Sequence, residues 1–189
     1  MAKLYFRYGT MGSSKTANAL MTRHNYLTKG RRVLLLKPRI DNRDGCKTIA
    51  SRIGLRAECM FVEEFMEDYE KHCLENDAII VDESQFMTAG QVDTLAECAD
   101  THDTTVICYG LKTDFRGQLF EGSKRLIELA DDIEEIPTIC WCGRKARFNA
   151  RVLNGRIVRD GEQVELGGDD RYTALCRKHF IEGKISPEK

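Results

Sequence analysis

Two kinds of hydrophobic pattern alternate along the first ~136 residues. Short runs that are apolar at nearly every position, "LYFRY" (4–8), "RVLLLKP" (32–38), "DAIIVDE" (77–83) and "TTVICYG" (104–110), have the length and continuity of strands buried on both faces. Between them lie longer stretches with helical spacing. One runs from Lys15 to about Lys29, with Ala17, Leu20 and Met21 on one face and Gly30 as its stop signal. A second covers 61–76, a third runs roughly Thr88–Thr101 with Val92, Leu95, Ala96 and Ala99 at i, i+3, i+4 and i+7, and a fourth covers 122–132. Apolar strands separated by helices predict an α/β fold, a parallel sheet covered by helices on both faces.

The pattern changes after "IEEIPT" (133–138). The remainder of the chain has short alternating runs ("RIVRD", "EQVEL"), a turn at Asn154–Gly155 and no long helical period, which predicts a small β-rich module. The division expected is 1–136 and 137–189. So small a module needs something besides a core to hold it.

Composition narrows the class. The chain has 189 residues, is 42% hydrophobic and 31% charged, and carries a formal net charge of −1. No basic stripe interleaved with aromatics is present, so neither nucleic acid nor an anionic membrane is an expected partner. The longest apolar runs fall far short of the ~20 residues of a membrane span. The N-terminus does not read as a secretory leader. Eight cysteines without one point to a reducing compartment, so a cytoplasmic location is expected.

Three constellations carry chemistry. "GTMGSSKT" (9–16) nearly spells the phosphate-binding loop G-x-x-x-x-G-K-[ST], with Gly9, Lys15 and Thr16 in register and Ser14 where the second glycine belongs. It follows a strand and opens a helix, as an anion cradle of backbone N–H groups requires. Alone it could also be a tight turn with a solvated lysine. "IIVDESQF" ends a buried strand in Asp82 and Glu83, the place of a Mg²⁺-supporting carboxylate and of a general base. Either a sugar hydroxyl or a water could be the group that Glu83 activates. Cys140-x-Cys142 and Cys176-x-x-His179 bracket the second module and supply four N/S ligands for a structural zinc with no open position.

With "GLKTDFRGQLF" (110–120), "CWCGRKA" (140–146) and "GGDDRYTALCRKH" (167–179) added in order, nearly the whole chain resembles the type II thymidine kinases. The resemblance implies a P-loop (RecA-like) ATP-binding domain with a zinc-bearing lasso domain that closes over the nucleoside. It implies transfer of the γ-phosphoryl of ATP to the 5′-hydroxyl of thymidine, plausibly also deoxyuridine. The product would be dTMP for nucleotide salvage and DNA synthesis. On this sequence Gly9, Thr10, Met11, Gly12, Ser13, Ser14, Lys15 and Thr16 would cradle the triphosphate, joined by Asp41, Arg43, Asp82, Glu83, Ser84 and Gln85. Thr16 and Asp82 would hold Mg²⁺, and Glu83 would be the base. Met11, Gln85, Phe86, Leu111, Phe115, Phe120 and Tyr172 would form the nucleoside pocket. A homotetramer and feedback inhibition by dTTP are further implications. The rival reading, a strand-handling ATPase, is disfavoured by the net charge and the missing basic stripe.

Overall fold

The computed structural model describes residues 2–41, 45, 47–163 and 171–187. In chain order its elements are β1 (Leu4–Tyr8), α1 (Lys15–Leu27), β2 (Val33–Lys37), β3 (Thr48–Ala50), β4 (Arg56–Glu58), β5 (Met60–Phe61), α2 (Val62–Phe65), α3 (Tyr69–Glu75) and β6 (Ala78–Val81). Then come α4 (Ala89–Thr101), β7 (Thr105–Gly110), α5 (Glu121–Leu129), β8 (Asp132–Glu135), β9 (Phe148–Leu153), β10 (Arg156–Val158), β11 (Tyr172–Leu175) and α6 (Arg177–Glu182). Six strands form one parallel sheet in the order β5-β2-β6-β7-β1-β8.

The continuous apolar runs are explained by the period of two along a strand. Leu36, Ile79, Val81, Val106 and Cys108 point to one face and pack with Val92, Leu95 and Leu126 of α4 and α5. Leu35, Ile80, Ile107 and Tyr109 point to the other and meet Ala19 and Leu20 of α1 and Ile49 of β3. Both faces are covered, so neither can be polar. Two helix ends follow their sequence signals: Gly30 takes φ 72 just past α1, and Thr88 caps α4 in a reciprocal box with Gln91.

Three local expectations are corrected. Met21 is 53% exposed, and Ala19 takes its place beside Leu20 in the core. The stretch 61–76 is not one helix: a 3-10 turn at Met66–Asp68 and a non-helical Asp68 (φ −150, ψ 54) divide α2 from α3, with Val62, Phe65 and Cys73 all in one core. α5 stops at Leu129, and the polar "DIEE" beyond it is β8, paired with β1. Its charged, exposed side chains are those of an edge strand, which hydrophobic periodicity does not mark. The antiparallel β3–β4 pair also carried no signal.

The second module is a three-stranded antiparallel sheet, β10-β9-β11, with α6 against it. Asn154 (φ 50) and Gly155 (φ 74) make the hairpin turn that the dipeptide predicts. Among the described residues its buried apolar cluster holds Cys140, Ala150, Leu175, Cys176 and Phe180. Among the described residues no helix is long and apolar enough to cross a membrane.

Candidate active site

The loop between β1 and α1 is shaped by close backbone approach. A Cβ on Gly9 would stand 2.3 Å from Ser13 Oγ and 2.5 Å from the Ile136 carbonyl, so only glycine fits. Its N–H donates to the Gly110 carbonyl at 3.2 Å, which ties the loop to the end of β7. Lys15 is buried and folded back over the loop: Nζ donates to the Thr10 carbonyl at 2.9 Å and to Ser13 Oγ at 3.4 Å. Thr10 Oγ1 is buried with no hydrogen-bond partner. An orphaned hydroxyl beside a folded lysine at a helix N-terminus is a place made for an anion with acceptor oxygens.

Ser14 caps α1 at φ 61, ψ 26, in the left-handed region, and its side chain makes no cap bond. The loop therefore keeps the backbone path that a glycine would take, with strain of about 1 kcal/mol. Ser14→Gly relieves that strain but frees the unfolded chain by a similar amount. It should leave phosphate binding intact and move Tm by no more than a few degrees. Ser14→Val puts a β-branched residue at positive φ and should destabilise by roughly 1–2 kcal/mol or more. Thermal unfolding of the two variants checks both signs.

At the carboxyl end of β6, the Asp82 N–H donates to the Leu36 carbonyl at 2.9 Å. Its carboxylate is 3% exposed, engages the Thr16 side chain and leaves Oδ1 without a partner. Burial first, then the neighbouring Glu83 charge, push its pKa up to about 7. Two hard oxygen donors in contact with each other, with one carboxylate oxygen left orphaned, fit a divalent cation such as Mg²⁺.

The raised value sets a pH dependence. An unfolded Asp titrates near 3.8 and this one near 7, so between those values the native state keeps a proton that the unfolded state has lost. Without divalent cation, stability from this group should fall as pH rises from about 4 to about 7 and level off above. Denaturant unfolding of the wild type against Asp82→Asn, which lacks the titration, measures the difference.

Glu83 also lies in the left-handed region, at φ 53, ψ 35, leading into a 3-10 turn at Ser84–Phe86. A non-glycine residue held there is strain maintained by its surroundings. Gln85 holds it: Nε2 donates to Glu83 Oε2 at 2.5 Å, while Oε1 accepts the Leu111 N–H at 2.9 Å. The resemblance puts Gln85 at the sugar end of the nucleoside pocket, and in this structure its amide bonds to Glu83 and Leu111. Ser84 is fully buried and its Oγ finds no partner.

Of the expected pocket residues, Phe86 and Phe120 meet edge to face at 5.9 Å. Phe115 is buried, whereas Met11, Leu111 and Tyr172 are half-buried. Asp41 is buried just after β2, and Arg43 lies outside the described residues.

Three polar residues in this region escaped the sequence reading. Asn149 of β9 accepts the Met11 N–H at 2.8 Å and donates to the Thr113 carbonyl at 3.2 Å. The Arg151 guanidinium lies 3.8 Å over the Phe115 ring and 5.5 Å from that of Tyr172, whose hydroxyl accepts from Nε at 2.9 Å. Asp114 accepts from the Arg116 and Gln118 N–H groups, the Arg116 guanidinium and Gln163 Nε2. The one available signal was alternation in "FNARV", which puts residues 149 and 151 on one face.

In the second module Cys140, Cys142, Cys176 and His179 place their ligand atoms within 4.8 Å of one another. Cys140 Sγ is 3.4 Å from His179 Nδ1, and Cys142 Sγ is 3.9 Å from Cys176 Sγ. Tetrahedral Zn–S bonds of about 2.3 Å put sulfurs about 3.8 Å apart, so the set fits that ion. Burial alone would raise the Cys140 thiol, but the Cys142 and Cys176 backbone N–H groups and His179 bring it down to about 6, toward the metal-binding thiolate. Trp141 stacks on the His179 ring at 4.1 Å and orients it.

Fold and site together define a P-loop nucleotide-binding α/β protein with an appended cluster able to hold a metal ion. The chain matches the thymidine kinase family over residues 2–180. A thymidine kinase from Lactococcus lactis subsp. lactis (strain IL1403) is 44% identical over 189 residues, spanning 98% of this chain and 100% of its own. One from Xanthomonas oryzae pv. oryzae (strain MAFF 311018) is 45% identical over 199 residues, spanning 99% and 95%. Among solved structures, a replication initiator DnaA bound to AMPPCP and single-stranded DNA is 16% identical with a TM-score of 0.48, covering 72% of this chain and 41% of that one. That likeness is too distant to bear on function. The chain belongs to the thymidine kinase family, and it is an enzyme of that family.

Proposed function

We propose that the enzyme transfers the γ-phosphoryl group of ATP to the 5′-hydroxyl of thymidine, and of deoxyuridine as a second substrate, with Glu83 as general base. The observation that carries this reading is the Glu83–Gln85–Leu111 linkage, at 2.5 and 2.9 Å, beside the phosphate cradle. It ties the Glu83 carboxylate, next to Asp82, to the start of the loop that bears Leu111, Phe115 and Phe120, which supports a base lying between phosphate and acceptor. In-line transfer to a hydroxyl needs that placement.

The 9–16 loop offers its N–H groups to the phosphate oxygens, and Lys15 exchanges its two internal acceptors for them. Thr16 and Asp82 would hold Mg²⁺, which when bound neutralises charge on the β- and γ-phosphates. Glu83 takes the proton from the 5′-hydroxyl as the new P–O bond forms. Arg43, which the resemblance places near the phosphates, would stabilise the spreading charge. Phe86, Phe115, Phe120, Met11 and Tyr172 would surround the base, with the second module excluding water.

Cys140, Cys142, Cys176 and His179 would bind one structural zinc, which supplies folding free energy to a module with a small core. The remaining parts of the reading are residues 1–136 and 137–189 as two domains, a homotetramer, inhibition by dTTP and action in the cytoplasm. The division rests on the change of sequence pattern and the location on cysteine usage, whereas the tetramer and the inhibition rest on the family alone.

The test is incubation with γ-labelled ATP, Mg²⁺ and each free nucleoside in turn. Label should appear on the 5′-monophosphates of thymidine and deoxyuridine. ATP hydrolysis stimulated by nucleic acid, with no nucleoside labelled, would sink the reading in favour of a strand-handling ATPase.

A further inference from the structure

We propose that Asn149 is a positioning residue for phosphoryl transfer, its single side-chain amide setting where the phosphate loop lies relative to the nucleoside-side loop. The inference rests on the phosphoryl-transfer reading above and adds to it a residue outside the motifs that brought that reading to mind.

The amide is 3% exposed and spends both its ends on backbone from different parts of the α/β domain. Oδ1 accepts the Met11 N–H at 2.8 Å, in the middle of the 9–16 loop. Nδ2 donates to the Thr113 carbonyl at 3.2 Å, in the segment between Leu111 and Phe115. An uncharged amide meets both needs at once, since one neighbour needs an acceptor and the other a donor. Neither bond serves the strand that carries it.

The strand itself explains why the placement is rigid. β9 alternates, with Ala150 buried in the cluster that contains Cys140 and Cys176, and Phe148 stacked on Phe180 at 4.5 Å. Asn149 and Arg151 occupy the opposite face, toward the 9–16 loop and Phe115. The Cys/His cluster therefore braces one side of the strand while the other side grips two loops. One loop would hold the group transferred and the other would line the acceptor. A displacement of about 1 Å between them is enough to cost about 100-fold in rate with little loss of binding.

The test compares Asn149→Ala and Asn149→Asp with the wild type by initial rates with ATP and thymidine varied in turn. Zinc content and hydrogen exchange of the Met11 amide are measured on the same preparations. The expected result for Asn149→Ala is a ~10- to 100-fold fall in kcat, each KM within about threefold, one zinc per chain and faster Met11 exchange. Asn149→Asp has the same volume, keeps the acceptor toward Met11 and loses the donor toward Thr113; it should keep Met11 protected yet still lose kcat. A kcat within twofold of wild type for Asn149→Ala overturns the proposal. So does a rise in thymidine KM at unchanged kcat, which would make Asn149 pocket lining only. If Asn149→Ala cannot hold zinc, Asn149→Asp decides by the same split, and loss of zinc there too overturns the proposal. A wild type that labels no nucleoside refutes the phosphoryl-transfer reading instead, and Met11 exchange still decides whether Asn149 holds the loop.

Discussion

Glu83→Gln is expected to lower kcat for thymidine phosphorylation by about 10²–10⁴-fold, with the KM for ATP and for thymidine each within about threefold of wild type. The range is what a positioned general base contributes, about 3–5 kcal/mol of barrier. The substitution isolates proton acceptance because it changes little else. Glutamine has the same length and can still accept from Gln85 Nε2, so the Glu83–Gln85–Leu111 linkage and the left-handed turn at position 83 survive. Asp82, Thr16 and the phosphate loop are untouched, so nucleotide binding should persist. Initial-rate kinetics with both substrates varied, beside a thermal melt, make the measurement. A variant with more than half of wild-type kcat would remove Glu83 from the role of base, whatever its position.

Loss of the metal cluster should have the next largest effect. Cys176→Ser is expected to reduce bound zinc from one per chain to nearly none, to unfold the second module and to cost at least about 100-fold in activity. Among the described residues that module's apolar cluster has five buried members, a small core for a module of its length. A bound structural zinc contributes folding free energy on the order of 10–16 kcal/mol, a large share of what holds so small a module. Cys176 directly precedes α6, so losing its hold on the metal loosens the helix that carries His179 and Phe180. Activity falls because β9 brings Asn149 and Arg151 to the loops of the α/β domain. Metal analysis and circular dichroism track the first two effects. After chelation, zinc and not Mg²⁺ alone should restore activity; full activity in a zinc-free preparation would break the assignment.

The strands were legible because burial on both faces forces every position to be apolar. "AIIV" at 78–81 has all four residues buried, and no other role suits such a run. The phosphate loop, the Asp82–Glu83 pair and the metal cluster were legible for a different reason. Each is local in sequence or in two short pieces, and its chemistry restricts the residue types. By contrast β8 was invisible because pairing with β1 is a backbone property, and the side chains of "DIEE" face water. The break at Asp68 was invisible because the helical period of 61–76 continues through it, and packing against the sheet overrides that period.

Asn149 and Arg151 mark the limit most clearly. In sequence they are polar residues of a short alternating run, the usual mark of a solvated face. They are buried because another part of the chain, 138 residues away in the case of Met11, supplies their partners. Ser14 is the reverse case. Its identity raised a question that only the backbone could answer, and φ 61 shows serine held where glycine would sit.

The sequence by itself determined the parallel α/β class, the β-rich second module, the turn between β1 and α1 that suits a phosphate, the carboxylates at the end of β6 and the four Cys/His side chains that could hold a metal. Each depends on periodicity or on chemistry within a short span. Only the tertiary structure decided that Asp82 is buried enough to hold its proton to about 7. It also decided that Gln85 is spent on Glu83 and Leu111, and that one amide of β9 joins the phosphate loop to the nucleoside-side loop. These facts depend on which distant groups come within hydrogen-bonding distance and how much water is excluded between them. No local pattern encodes either.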